Sequence, residues 1–299
     1  MRLSLESLAP AASRRWRNMY TPCGLLTCPN TLFMRSVQSR VGITIGDTWY
    51  CGPDCLAAAA TMRFAAVAST KVLEMPHTPR MSIGLVMLSK GYITDQHLRL
   101  ASAESQARGE DLESVLLRLG LASEKQLTAA RAAQWGYPVL GYERAGSLLQ
   151  SDIPFELLRS CSAVPLHRSP AAKRLLLGFV YRVDHGLLNS MEQITGFRAE
   201  PCFITPTEFA EQMQKLTSAP AFEEVVFDDP KTTVQMGRTV GGFAVEIGAR
   251  EARFAQCRDY AWTRLSGKIR TIDLLFRVKG VRSRNSEEVP ISGSVRSAG

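Results

Sequence analysis

The stretch from Ser82 to Gln134 repeats itself, and that repeat constrains the fold more than any other feature. "SIGLVMLSKGYITDQHLRLASAES" (82–105) lies over "DLESVLLRLGLASEKQLTAARAAQ" (111–134) at an offset of 29 residues. Ile83 falls on Leu112, Leu88 on Leu117, Gly91 on Gly120 and Leu98 on Leu127. Thr94 aligns with Ser123, and Asp95 with Glu124. Each unit reads as a short helix, a glycine stop, a polar N-cap and a second helix. Ser123 followed by Gln126 fits a capping box. Two such units predict a four-helix module whose Leu and Ile faces meet.

Four of the seven cysteines form two close pairs, Cys23 with Cys28 and Cys51 with Cys55, 22 residues apart. Four thiolates can close a tetrahedral shell around zinc, so structural sites come as two pairs. Between them "VGITIGDTWY" carries β-branched and aromatic residues around Gly46-Asp47, a hairpin signal. The second pair opens the apolar run from Leu56 to Ala68, read as a helix, whose N-terminus favours thiolate. The layout resembles a treble-clef zinc finger over about residues 19 to 70. A closed four-cysteine shell implies a structural ion, not a catalytic one.

Beyond the repeat, "AAQWGYPVL" (132–140) leads into a segment of alternating helices and strands. The helices are expected over "PFELLRSCSAVPL", "HGLLNSMEQITG" and "TPTEFAEQMQKL", the last with Thr205 as N-cap and Pro206 in its first turn. The strands are expected after Leu166, at "RLLLGFV" and at "RAEPCFI". With the repeat, roughly residues 80 to 217 resemble the N-terminal domain of type II secretion and type IV pilus assembly ATPases (MshEN). The resemblance implies protein docking. Some members bind cyclic di-GMP through Arg-Leu-Gly at the start of each repeat. The matching positions here are Ser82, Ile83 and Gly84, then Asp111, Leu112 and Glu113, so Ser82, Gly84, Asp111 and Glu113 are the candidate ligand positions. Gly84 is kept, but both arginines are missing. The two acids would repel the phosphates of a dinucleotide, which guanidinium groups favour.

In those ATPases this domain precedes a motor with a Gly-x4-Gly-Lys-Ser/Thr loop. "GRTVGGFAVE" (237–246) and Gly267-Lys268-Ile269 do not fit that loop, so no enzyme is expected. "TVGGFAVEIGAREARFAQ" reads as a helix, and "YAWTRLSGKIRTIDLLFRV" as two strands around Ser266-Gly267. Together they faintly resemble the subdomain before the ATPase core. His77, His97, His167 and His185 show no metal spacing, and Cys161, Cys202 and Cys257 read as buried thiols.

The expected class is therefore α+β and multidomain: a small zinc-bound β-hairpin/helix module, a four-helix repeat, a small α/β subdomain, and a C-terminal helix plus β-hairpin. The expected divisions are a basic flexible arm (1–18), the zinc module (19–72), the helical repeat (80–136), the α/β subdomain (137–217), an acidic linker (218–237), the helix–hairpin region (238–281) and a disordered tail (282–299). No stretch approaches the ~20 apolar residues of a membrane-spanning helix. Arg14, Arg15 and Arg17 precede no secretory core, so a cytoplasmic protein is expected. The net charge of +8 gathers in the first 40 residues and, less so, in the last 20. No basic run is interleaved with aromatics as a nucleic-acid platform would be. The primary expectation is an adaptor that docks a protein partner, a secretion or pilus assembly component. A cyclic di-GMP sensor, and nucleic-acid binding through the zinc module and basic arm, are the alternatives.

Overall fold

The computed structural model describes residues 20–33, 42–69, 80–140, 153–218, 223–229 and 231–278. The expected arm and tail lie outside these. The chain is α+β, and its helices and strands assemble around three apolar cores.

The first strands are β1 (Tyr20–Pro22) and β2 (Thr31–Phe33), an antiparallel pair. β3 (Ile43–Ile45) and β4 (Thr48–Tyr50) form the hairpin expected around Gly46-Asp47, with Gly46 at φ +58°. Helix α1 follows at once, Pro53–Ser69.

The repeat folds as four helices: α2 (Ile83–Ser89), α3 (Asp95–Arg108), α4 (Leu112–Arg118) and α5 (Glu124–Trp135). Gly91 and Gly120 both take left-handed φ, +70° and +65°, after the first helix of each unit. A Cβ there would strain the backbone, so glycine ends the helix. Thr94 and Ser123 cap the second helices, and Ser123 with Gln126 makes the full capping box. Val86, Met87, Val115, Leu116 and Leu127 fill the core between them.

The α/β unit holds α6 (Phe155–Cys161), β5 (Ala163–Ser169), β6 (Arg174–Phe179), α7 (His185–Thr195), β7 (Arg198–Phe203) and α8 (Pro206–Ser218). Its sheet runs β5-β6-β7, with β5–β6 antiparallel and β6–β7 parallel across α7. Thr205 caps α8 as expected: its Oγ1 accepts from Glu208 N at 3.2 Å, and Glu208 Oε2 accepts from Thr205 N at 2.8 Å. The first helix is shorter than the sequence suggests. Ser162 turns left-handed, and "AVPL" belongs to β5, because β-branched Val164 and Leu166 are buried in the sheet core.

The largest correction concerns the C-terminal third. The 218–237 linker is structured: β8 (Glu223–Phe227) lies within it, and α9 (Thr233–Glu246) begins in it. The expected long helix at 239–256 breaks, and its second half is β9 (Glu251–Cys257). β10 (Tyr260–Ser266) and β11 (Thr271–Arg277) are the expected hairpin. All four join a six-stranded sheet ordered β4-β3-β9-β10-β11-β8. The cysteine-bearing hairpin is thus one edge of the C-terminal sheet, through Thr44 N donating to Arg250 O at 2.8 Å. The two segments expected as separate modules share one core.

Alternation along these strands explains why the sheet has helices on both sides. Ala252, Ala261, Leu265, Ile272, Leu274 and Phe276 join the core of α1 and α9. Ala255, Cys257, Tyr260, Trp262 and Leu275 join the core of the α/β unit. Two side chains stitch this second face: Arg253 donates to Ile194 O at 2.7 Å, and Glu224 accepts from Phe155 N at 2.6 Å. Asp273, 1 % exposed, takes two bonds from Arg264 and one from the Trp262 indole at 2.8 Å.

Glycines that make α9 look a poor helix are what let it pack. A Cβ on Gly237 would lie 2.5 Å from Ala57 O, and one on Gly241 would lie 3.0 Å from Ala57 Cβ. Glycine on α9 lets its backbone pack directly on Pro53, Ala57 and Thr61 of α1. The alanine-rich start of α1 therefore has a packing reason.

Candidate metal centre

Three backbone devices bring the sulfurs together. The β1–β2 turn holds the first pair, with Cys23 N donating to Asn30 O at 2.9 Å and Cys28 N to Leu25 O at 2.8 Å. Gly24 N donates to Trp49 O at 2.8 Å, which docks that turn on β4. Cys51 follows β4 directly, and Cys55 sits in the first turn of α1.

The result is a cluster of Cys23, Cys28, Cys51 and Cys55 whose sulfurs all lie within 4.8 Å of one another, so it could hold a metal ion. Cys28 and Cys51 sulfurs are 3.6 Å apart, and Cys51 and Cys55 sulfurs 3.5 Å. A tetrahedral shell at the usual zinc–sulfur length has edges of about 3.8 Å. The four residues named from spacing are therefore the four the fold assembles.

Their acidities show why a cation suits the site. Burial pushes the Cys55 thiol far above its ordinary value, and the thiols of Cys51, Cys28 and Cys23 add to it. At Cys28 the Asn30 backbone bond pulls down, yet burial and the Cys51 thiol carry it up. Burial also opposes ionisation at Cys23, but the backbone N–H groups of Leu25 and Cys51, with the Cys55 and Cys28 thiols, bring it below the ordinary value. Four crowded sulfurs cannot all ionise alone. A divalent cation removes that conflict and stabilises every thiolate at once. Asn30, which spacing did not single out, donates from Nδ2 to Cys51 Sγ at 3.2 Å. Its place two residues after Cys28 was the one available signal. Such outer bonds orient the ligand and moderate its charge.

Three of the four positions matched to a nucleotide site, Gly84, Asp111 and Glu113, pack or bond within the fold. Ser82 precedes α2 and makes no side-chain cap bond. Gly84 faces Leu98 and Leu112, whose methyls lie 2.7 and 3.0 Å from where its Cβ would be. Asp111 caps α4, accepting from Ser114 N at 2.9 Å and from the Ser114 hydroxyl. Glu113 pairs with the buried Arg131, which also donates to Val180 O at 3.2 Å. Desolvation lowers the Arg131 pKa, against the pull of Tyr181 and Asp111. Arg80 stacks on Trp135, 3.4 Å from its ring centre.

The class defined by these features is an α+β, multi-unit chain with a four-thiol cluster and a paired helical repeat. No protein-family model matches it. Among curated proteins it is similar to the type IV pilus assembly ATPase PilB of Thermus thermophilus, 25% identical over 135 residues, 44% of this chain. The chain spans only 15% of that relative's length. The resemblance read from the repeat is thus met again in a pilus assembly ATPase. Among solved structures it is similar to MshE with cdg, at 21% identity over 46% of this chain and 99% of that one, TM-score 0.37. The XpsE N-terminal domain is similar at 19% identity, 46% and 98% coverage, TM-score 0.34. Among the described residues no helix is long and apolar enough to cross a membrane.

Proposed function

We propose that this chain is a non-enzymatic, cytoplasmic docking scaffold of a pilus or secretion assembly, and that its four cysteines hold a structural zinc ion. The observation that carries the zinc reading is the sulfur cluster, all within 4.8 Å, with no additional ligand needed for a closed shell. The docking reading rests on the likeness to the pilus assembly ATPase. It is supported by Gly84, whose missing Cβ leaves room for Leu98 and Leu112, and by Asp111 and Glu113, whose carboxylates are taken up by Ser114 and Arg131.

The helical module turns Leu85 and Leu100 outward, 50% and 49% exposed. These are the contacts we assign to the partner. A pull-down from native lysate, read by mass spectrometry, should recover a pilus or secretion component. Leu85→Glu with Leu100→Glu should lose it at an unchanged unfolding temperature. Recovery of the same component by that variant would sink the assignment. A cyclic dinucleotide would bring two phosphates toward Asp111 and Glu113, so calorimetry with cyclic di-GMP should give no heat. Metal analysis should give about one zinc per chain.

A further inference from the structure

The amino ends of β6 and β7 carry like charges side by side. The parallel register sets Arg174 of β6 directly beside Arg198 of β7. Ser169 of β5 stands opposite Arg174 on the other flank, so Ser169, Arg174 and Arg198 form one row across the three strands. Neighbouring strands lie about 4.8 Å apart. Lys173 joins the row: its carbonyl accepts from Arg198 N at 2.8 Å. Lys173, Arg174 and Arg198 are all exposed. The helical repeat meets the other end of this sheet, through Trp135 and Val139 against Phe203 and through Arg131 against Val180.

Like charges opposed on paired strands cost stability. Glu200 relieves part of this by pairing with Arg174 at 3.0 Å. Glu192 also lies near, where its Oε1 accepts from Ala199 N at 3.0 Å. Among the described residues Lys173 and Arg198 make no ion pair. Counting Arg168, four cations meet two carboxylates that are already engaged. The end of the sheet therefore keeps a positive field, and guanidinium forks grip carboxylates with two parallel bonds.

We propose that Lys173, Arg174 and Arg198 dock an acidic segment of a protein partner. This goes beyond the Leu85 and Leu100 assignment and stands or falls separately from it. Two other anionic surfaces fit less well. A nucleic acid is gripped through many phosphates, commonly about 6–10, and its bases stack on open rings. Here the Phe197 ring beside Arg198 packs on the α/β core, and the Arg168 guanidinium covers it 4.3 Å from its centre. An anionic membrane is held by basic side chains together with apolar ones that enter it. β5, β6, β7 and α7 expose no large apolar side chain. A short run of carboxylates needs neither ring nor apolar anchor. An extended chain sets alternate side chains roughly 6.6 Å apart on one face, a spacing that long side chains on neighbouring strands can meet. Glu200 competes with the incoming acid for Arg174, so it moderates the affinity.

The test uses the full chain and a fluorescent peptide of alternating Asp and Glu, read by anisotropy. A fluorescent oligothymidine of matched charge and vesicles of phosphatidylglycerol with phosphatidylcholine are the comparison probes. The peptide should bind at low salt and weaken as salt rises. Arg174→Glu with Arg198→Glu should weaken it about tenfold or more. Lys125→Glu with Lys268→Glu makes the same change in net charge at exposed sites elsewhere and should leave binding nearly unchanged. Glu200→Gln frees Arg174 and should tighten binding a few-fold. If the double reversal lowers the unfolding temperature, Arg198→Gln and Glu200→Gln read the same surface in opposite directions. The Leu85→Glu, Leu100→Glu variant should bind the peptide like wild type, so losing the lysate partner and losing the peptide are separate results. The proposal is overturned if the peptide does not bind, or if both double reversals weaken it equally. It is equally overturned if Glu200→Gln fails to tighten binding, or if the oligothymidine or the vesicles bind more tightly than the peptide.

Discussion

The helical repeat and the body beneath the cysteine cluster are held together in opposite ways. In the repeat, neighbours in sequence are neighbours in space: Thr94, Asp111 and Ser123 cap helices within three residues of themselves. The cysteine body joins residues 20–33 and 42–69 to residues 223–229 and 231–278 across the whole intervening chain. Its contacts are a shared sheet, a close helix pair and four sulfurs. The lesson concerns cooperativity. A structure built from local caps can fray one turn at a time, whereas one built from distant segments holds or opens as a unit.

Metal removal should separate the two regions most. With a chelator, hydrogen exchange should lose protection over 20–33 and 43–69, and the helices of 83–135 should keep theirs. Cys51→Ser with Cys55→Ser should do the same without chelator, because binding energy for the ion is folding energy there. Equal loss in both regions would erase the contrast. Next in size, Asp273→Ala leaves Arg264 and the Trp262 indole buried without their acceptor. Denaturant unfolding should show a loss of about 3–5 kcal/mol. Gly237→Ala should cost about 1–3 kcal/mol by forcing α1 from α9. The same change at Gly242, which faces open space, should be tolerated.

Smaller effects probe the local side. Ser123→Ala removes one cap and should cost about 1 kcal/mol, confined to the start of α5. A spread of that loss into the cysteine body, seen by hydrogen exchange, would contradict the local picture. The mildest change is Glu224→Gln. Burial raises the Glu224 pKa, against the pull of the Phe155 and Glu156 N–H groups. A raised carboxyl favours the fold when protonated, and that contribution fades as pH rises through the folded value. The amide keeps an acceptor for Phe155 N without the buried charge. Its unfolding temperature should match or slightly exceed wild type at neutral pH. The difference should vanish below about pH 4, where Glu224 itself is protonated. A lower temperature for the amide at neutral pH would show the ionised form to be the one the fold prefers.

How much was legible follows the same division. Gly91, Gly120, the Ser123–Gln126 box and the Thr205 cap act on their own turns, so they could be read before any fold was known. The Gly46-Asp47 turn and both cysteine pairs were readable too, since metal geometry restricts spacing. The strand nature of 251–257 was not. Alanines and charges at "EARFAQC" look helical, and only pairing with β10 and β3 makes them a strand. The repeat alignment marks Glu113 as a candidate ligand position and gives Arg131 no role, yet the two are partners.

By itself the sequence determined the repeat, its caps and stops, and which four thiols belong together, because those depend on nearest turns and on a ligand's fixed geometry. The tertiary structure alone decided that the cysteine hairpin edges the C-terminal sheet. It also decided that Gly237 and Gly241 serve contact between helices. Those facts arise from long-range packing, where a residue's role is set by what lands beside it.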